Sequence, residues 1–283
     1  MPSHAENNIP GSATQPPPPT DTGALQETRA ALIIAHPGHE LCIYGWVARL
    51  RPLVFVLTDG SGRSQKSRLQ HSTNILDRLG AKRGSVYGRL NDAAIYRALL
   101  DHDFILFTQI AAEIAETIAR DELTCVVGDA SEGYSPTHDA CRMIVNAAVA
   151  MARERTVRDI TNFEFPVVGQ PNGRVTTGAA PPSCFKLNDQ TFEEKLAAAR
   201  AYPALQEDVD DLLRKYSEDA FRTEYLYPTA DGYEQSVNQN FPYYEELGEQ
   251  RVRDGYYERA IRYHEHLLPL ARSLPGANGR QSR

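Results

Sequence analysis

The sequence of 283 residues predicts an α/β fold: a Rossmann-like, mostly parallel sheet with helices on both faces and a helical C-terminal cover. Three observations support this prediction. Short apolar runs alternate with segments of helical periodicity, polar clusters follow several of these runs, and the second half of the chain is charged and largely helical in pattern. Alternating strands and helices are typical of a parallel sheet that is covered on both faces.

Four apolar runs of four or five residues predict strands. They span residues 31–35, 53–57, 104–107 and 123–127. A segment flanked by two glycines, residues 84–88, predicts a further short strand, and residues 163–171 predict one more.

Helical periodicity fills the segments between these runs. Residues 67–79 and 109–120 place apolar side chains on one side of a helix. The clearest pattern follows His138, where one apolar stripe runs from Ala140 to Met151, so this helix is expected to pack on the sheet and hold His138 at its start. In the second half of the chain, three more segments predict helices: residues 191–205, 207–218 and 243–268.

Composition divides the chain into one folded domain and two tails. Residues 1–28 are rich in Pro, Gly, Ser and Thr and bury too little apolar surface to offset the entropy of ordering, which predicts a disordered tail. Residues 29–272 predict a single domain, with a core at 29–160 that carries the histidine motifs and a largely helical cover at 161–272. Residues 273–283 predict a flexible tail.

The charge and the cysteines restrict the function. A formal net charge of −7 without a basic stripe argues against nucleic-acid binding and favours a small-molecule substrate. The four cysteines are scattered and form no CxxC pair, which is typical of free thiols in a reducing compartment. No apolar run is long enough for a membrane span, and the N-terminus lacks the features of a secretory signal, so we expect a cytoplasmic protein.

Tyrosines concentrate in the second half of the chain. Such residues line a pocket, contact a second subunit of a homo-oligomer, or pack half-buried with a solvated hydroxyl. The sequence leaves these alternatives open.

Two loops carry the histidines of the predicted site. His36 and His39 lie three residues apart after the first apolar run, in a loop that Pro37 and Gly38 can fold sharply. His138 starts the amphipathic helix that follows the last of the four apolar runs. Because the carboxyl ends of parallel strands form one edge of a sheet, the three imidazoles are expected to converge there, as a catalytic metal site with three protein ligands requires. The alternative is that each histidine only hydrogen-bonds to nearby backbone.

Three motifs occur in order on these elements: AHPGHE at residues 35–40, LTDGSG at residues 57–62 and SPTH at residues 135–138. They resemble the motifs of the LmbE-like or PIG-L-like deacetylases, zinc hydrolases that remove acyl groups from amino sugars such as N-acetylglucosamine derivatives. The resemblance implies a Rossmann-like fold, a site for zinc or another divalent metal, and an N-acyl amino sugar as substrate.

The opening motif departs from the family's AHPDDE at two positions. The resemblance places the family's general base at Gly38, which has no side chain, and its second aspartate, a metal ligand, at His39. The implied ligand set is therefore His36, His39 and His138. Such a set carries one more positive charge than two histidines and an aspartate, which favours hydroxide or an anionic substrate.

Without that aspartate, another group has to accept a proton from water. Glu40, Asp129 and Asp139 are candidate bases near the same sheet edge, and the sequence does not choose among them. Glu40 and Asp139 also fit the first turn of a helix, where acidic side chains complement the dipole. Asp129 also fits a role in orienting one of the histidines.

The resemblance also implies contacts with the substrate. Arg68 matches a family arginine that contacts substrate hydroxyls, and Tyr134 lies one position from a family tyrosine that contacts the substrate oxygen. Ser135 occupies the place of a family histidine that assists the reaction, and Asp59 belongs to the turn of the second motif.

Three functions stay open on this evidence. The first is a metal-dependent hydrolase of an N-acyl bond on an amino sugar or a similar polar metabolite. The second keeps the metal and changes the reaction, because the family's base is replaced by Gly38. The third is a non-catalytic descendant that binds a ligand or a partner through the same pocket.

Overall fold

The computed structural model describes residues 29–171, 182–229 and 242–276. The predicted N-terminal tail and most of the predicted C-terminal tail lie outside these residues. The strands are β1 Ala30–Ile34, β2 Leu53–Thr58, β3 Lys82–Leu90, β4 Cys125–Asp129, β5 Thr161–Phe165, β6 Ser183–Lys186 and β7 Thr223–Pro228.

The seven strands form one sheet in the order β3-β2-β1-β4-β5-β7-β6. The neighbouring pairs from β3 to β5 are parallel, whereas β7 pairs antiparallel with both β5 and β6. The predicted α/β class with a mostly parallel sheet is confirmed. The predicted strand at residues 84–88 lies within β3. The strand predicted over residues 163–171 coincides with β5 only at residues 163–165, and residues 166–171 are not in a strand.

Helices cover both faces of this sheet. They are α1 Tyr44–Leu50, α2 Leu69–Leu79, α3 Asp92–Leu100, α4 Phe104–Arg120, α5 Pro136–Arg155, α6 Asp189–Arg200, α7 Gln206–Tyr216, α8 Tyr243–Arg253 and α9 Leu268–Ser273. Among the described residues, no helix has the length and apolar character needed to cross a membrane.

Successive residues of β1 face opposite sides of the sheet, as the period of two in a strand requires. Ile33 belongs to a buried cluster with Ile114 of α4 and Ile144 of α5. Its neighbour Leu32 belongs to a second cluster with Trp46 of α1. The sheet therefore separates two apolar cores, and its carboxyl edge is left to polar residues.

The strand predicted at residues 104–107 is wrong, because these residues form the first turn of α4. Asp103 caps this helix, and its carboxylate accepts a hydrogen bond from the backbone N–H of Leu106 at 3.2 Å. The apolar run continues at helical spacing through Phe107, Ile110 and Ile114, all buried. A four-residue apolar run fits a strand and a buried helix turn equally well, and here the longer period decides.

The second half of the chain is less helical than the sequence predicts. β6 and β7 extend the sheet, and in β7 the buried Glu224 and Leu226 alternate with the half-buried Thr223 and Tyr225. The single helix predicted over residues 243–268 is also wrong: α8 ends at Arg253, and Gly255 follows with a φ of 76° that ends the helical path.

Candidate functional site

The site lies where the strand order of the sheet reverses. β2 and β3 continue the sheet on one side of β1, whereas β4 and β5 continue it on the other. A crevice forms at such a point outside the carboxyl ends of the strands. The loop after β1 carries His36 and His39, and the loop after β4 leads to His138 in the first turn of α5.

The three histidines lie against one another. The ring centroids are 5.3 Å apart for His36 and His39, 5.1 Å for His36 and His138, and 4.7 Å for His39 and His138, each pair in an edge contact. His138 is only 6% exposed, and the side chains of His36 and His39 are 13% and 12% exposed. The structure therefore brings together the three residues that the sequence nominated as metal ligands.

A left-handed glycine makes this convergence possible. Gly38 has a φ of 108°, which residues with a Cβ rarely adopt. Its backbone N–H donates to Glu40 Oε2 at 2.8 Å, and a 3-10 turn, His39–Ile43, follows directly. Glu40 is fully buried, and this burial raises the pKa of its carboxyl. Glu40, one of the candidate bases, therefore stabilises the histidine loop through this hydrogen bond.

Carboxylates contact two of the imidazoles at Nδ1. His36 Nδ1 lies 2.7 Å from Thr58 Oγ1 and 3.0 Å from Asp92 Oδ1. His39 Nδ1 lies 2.8 Å from Asp129 Oδ2. A partner at one ring nitrogen fixes the orientation of the ring and leaves the other nitrogen, Nε2, for a ligand.

Asp92 is a site residue that sequence reasoning missed. It opens α3 directly after β3, so it reaches the same sheet edge as the histidine loops. Burial acts to raise its pKa, but the contact with His36 at 3.0 Å outweighs burial, and the pKa of Asp92 is lowered. The signal that could have found it is an acidic residue directly after a strand of the parallel sheet.

Burial favours the neutral form of two of the three imidazoles. Burial outweighs the opposing contact with Asp92, so the pKa of His36 is lowered. Burial and repulsion from the other two histidines lower the pKa of His138 well below its ordinary value. Neutral imidazole has the free electron pair that a metal ligand needs.

The donor chemistry of the cluster fits a divalent metal ion. His138 Nδ1 is buried and has no hydrogen-bond partner among the described residues, so a polar atom is left without compensation. Three imidazole nitrogens are a ligand set that zinc accepts. Across the described parts of the chain, however, no three His, Cys, Asp or Glu side chains stand in a metal-binding arrangement.

The two other candidate bases, Asp129 and Asp139, also accept hydrogen bonds from backbone N–H groups. Asp129 is fully buried, and its Oδ2 accepts from the N–H of Ala35 at 2.8 Å in addition to its contact with His39. Asp139 is fully buried as well, and its Oδ1 accepts from the N–H groups of Glu132 and Gly133 at 3.1 and 3.2 Å. Asp129 thus positions His39, and Asp139 fixes the loop that leads into α5.

The position of the family's base is closed by an apolar side chain. A Cβ built on Gly38 would lie 2.5 Å from Leu205 Cδ1 and 3.7 Å from Tyr202 Cζ. Both residues come from the segment that joins α6 to α7. Tyr202 is held in place because its hydroxyl donates to the carbonyl of Arg68 at 3.1 Å. Residue 38 therefore lacks a carboxylate, and a side chain at this position would have to displace the terminal methyl group of Leu205.

The predicted substrate residues surround the cluster at different depths. The positive charge of Arg68 contributes to the lowered pKa values of His36 and His138. Its guanidinium therefore interacts electrostatically with these two histidines. Arg68 Nε is buried and has no hydrogen-bond partner in the described part of the chain. The ring of Tyr134 lies 6.4 Å from that of His138.

Asp59 and Ser135 have local roles in the backbone. Asp59 Oδ1 accepts from the N–H of Ser61 at 2.9 Å, which closes the turn after β2. Ser135 occupies the position before α5, and its side chain makes no capping hydrogen bond to that helix. The hydroxyl of Ser135 is thus not committed to the helix it precedes.

No family model matches the sequence, and no curated protein matches it. Solved structures do. A deacetylase of the teicoplanin biosynthesis pathway, in its bog complex, aligns with a TM-score of 0.53 at 17% identity over 72% of this chain and 100% of that chain. The A40926 pseudoaglycone deacetylase Dbv21 aligns with a TM-score of 0.52 at 20% identity over 75% and 99%. This chain has the fold of these deacetylases.

A triple mutant of the teicoplanin-pathway deacetylase agrees, with a TM-score of 0.51 at 18% identity over 71% of this chain and 97% of that chain. At such identities the likeness concerns the fold. It confirms the Rossmann-like α/β fold that the motif resemblance implied.

Proposed function

We propose that this chain is a metal-dependent hydrolase that cleaves an N-acyl bond on an amino sugar or a similar polar metabolite. The observation that carries the proposal is the cluster of His36, His39 and His138 at the carboxyl edge of the sheet, with ring centroids 4.7 to 5.3 Å apart. The fold shared with deacetylases supports the reaction class.

The three histidines would hold the ion, which is zinc or another divalent metal. When bound, such an ion supplies a Lewis acid for the amide carbonyl and lowers the pKa of a water molecule. Asp129 and Asp92 fix the rings of His39 and His36 through their Nδ1 atoms.

Arg68 provides the positive charge that this site offers to a substrate. Its Nε is buried and has no hydrogen-bond partner among the described residues. A cation next to neutral imidazoles binds hydroxyl or anionic oxygens and stabilises negative charge that develops on the amide oxygen. We therefore assign substrate binding to Arg68, with Tyr134 at the opening of the site.

The experiment measures two quantities on the same purified protein: metal content by elemental analysis and acetate released from N-acetylglucosamine. We expect about one ion per chain, lost in His39→Ala. His264→Ala is the matched control, because His264 is exposed and lies outside the cluster. Metal content that is unchanged in His39→Ala would contradict the assigned ligands.

The packing at Gly38 favours a second candidate, a metal protein with different chemistry. Leu205 fills the space beside Gly38, and the three candidate carboxylates are all fully buried. A chain that binds one ion yet releases no acetate from any N-acyl substrate would support this second candidate. A chain that binds no metal would support a non-catalytic ligand-binding role.

A further inference from the structure

Two exposed tyrosines form a stacked pair beside the histidine cluster. The ring centroids of Tyr134 and Tyr243 are 5.5 Å apart and the ring planes differ by only 12°. Tyr134 is 47% exposed and Tyr243 is 51% exposed, which is unusual for two large aromatic rings in contact. The pair begins next to the site, since the Tyr134 ring lies 6.4 Å from that of His138.

The geometry of this pair leaves flat aromatic surface open. Stacked carbon atoms approach to about 3.5 Å. A centroid distance of 5.5 Å between nearly parallel rings therefore means that the rings are offset, so each covers only part of the other.

Both tyrosines are mounted on fixed backbone. Tyr134 follows the loop that Asp139 holds through the N–H of Gly133 at 3.2 Å. The N–H of Tyr244, next to Tyr243 at the start of α8, donates to the carbonyl of Gly133 at 3.3 Å. A Cβ on Gly133 would lie 3.4 Å from Pro242, so the two segments are in direct contact. The stacked rings therefore keep their position relative to the histidines.

From this arrangement we infer that Tyr134 and Tyr243 form a binding platform for the pyranose ring of the substrate, on the side away from the reacting bond. The inference rests on the proposed function, which supplies a sugar as the ligand. The face of an aromatic ring carries negative charge density and attracts the slightly positive C–H groups that line one face of a pyranose. Arg68 in the field of the cluster binds the hydroxyl oxygens of the same sugar.

The test compares two probes that share the acetamide group and differ in the sugar ring: methyl N-acetyl-β-glucosaminide and N-acetylethanolamine. Binding is measured by ligand-observed NMR titration, which does not require turnover. Tyr243→Ala is expected to weaken binding of the glucosaminide by about twofold to tenfold and to leave N-acetylethanolamine unchanged. Tyr243→Phe keeps the ring and is expected to retain the wild-type affinity.

Tyr256→Ala is the matched control, because Tyr256 is 61% exposed, lies beyond the end of α8 and packs against Arg251. Three results would overturn the platform. Tyr243→Ala could weaken binding of both probes equally, it could weaken binding of neither, or the wild-type protein could bind neither probe. Ring-dependent binding without acetate release would keep the platform and reject hydrolysis, so the two proposals fail separately.

Discussion

The three histidines of the site come from the first half of the chain, residues 36 to 138, whereas Leu205 and Tyr243 around them come from the second half. The first half provides donor atoms at the ends of parallel strands. The second half determines how much space and which surface surrounds them. The proposed metal donors therefore come from the first half alone, whereas the surface around them has contributions from both halves.

The largest expected effect concerns the contact that joins these two halves. Glu224 of β7 accepts from Lys195 Nζ at 2.9 Å and from the N–H groups of Gly45 and Trp46 at 2.9 Å, and the side chains of Glu224 and Lys195 are 0% and 6% exposed. Glu224→Ala leaves the Lys195 ammonium buried without its counter-charge. We expect the free energy of unfolding to fall by about 3–5 kcal/mol, measured by urea denaturation.

The control for this prediction removes both charges. A Lys195→Met, Glu224→Leu double variant leaves no unpaired ion, so it is expected to recover the part of the loss that comes from the buried ammonium. The N–H groups of Gly45 and Trp46 lose their acceptor in both variants. A loss below about 1 kcal/mol in Glu224→Ala would mean that water reaches Lys195 and that this contact does not hold the halves together.

The next largest effect concerns the contact of Leu205, in the second half of the chain, with Gly38 in the first half. Gly38→Ala adds strain at a φ of 108° and a Cβ that meets Leu205 Cδ1 at 2.5 Å. Together these costs are expected to lower the free energy of unfolding by about 2–4 kcal/mol. Gly38→Asp is expected to be at least as destabilising and to produce no gain in acetate release.

Gly255→Ala separates strain from packing. Its φ is 76°, but a Cβ there meets no atom within 4 Å, so only the backbone cost applies. Leu205→Ala introduced with Gly38→Ala is expected to relieve the steric part, seen as a coupling in a double-mutant cycle. Equal destabilisation by Gly38→Ala and Gly255→Ala would show that Leu205 does not close the position.

A smaller effect tests the carboxylate behind His36. Asp92→Asn keeps the size of the side chain and removes the charge that lies 3.0 Å from His36 Nδ1. We expect zinc affinity to fall by about tenfold to a hundredfold in a competition titration. Asp77→Asn is the control, because Asp77 is exposed and pairs with Arg83 at 3.7 Å. Unchanged affinity in Asp92→Asn would remove Asp92 from the site.

The same division explains what could be predicted from sequence. β1, β2 and β4 were predictable because each is an apolar run that ends in a polar break, and both signals lie within a few adjacent residues. The histidine cluster followed from where those breaks meet. The run at residues 104–107 was misassigned because a short apolar run does not distinguish a strand from a buried helix turn.

Residues that approach the site from distant elements carried no such signal. Leu205 and Tyr243 lie in segments whose position depends on packing against the first half. No local sequence pattern indicates which distant residues such a segment will contact. β6 and β7 were missed for the same reason, because they form strands by pairing with each other and with β5. Local sequence patterns therefore predict the three histidines of the site, but not the residues from distant segments that surround them.

The smallest expected effect tests whether the second half also positions Arg68. The hydroxyl of Tyr202, a residue only 1% exposed, donates to the carbonyl of Arg68 at 3.1 Å and lies 3.3 Å from Ser72 Oγ. Tyr202→Phe keeps the ring against Gly38 and removes one buried hydrogen bond, so unfolding free energy is expected to fall by about 1 kcal/mol. Ser72→Ala removes only the other partner and serves as the comparison. If Tyr202→Phe also weakens binding of methyl N-acetyl-β-glucosaminide while Ser72→Ala does not, the second half of the chain sets the position of the Arg68 guanidinium. Equal binding by the two variants would limit Tyr202 to a packing role.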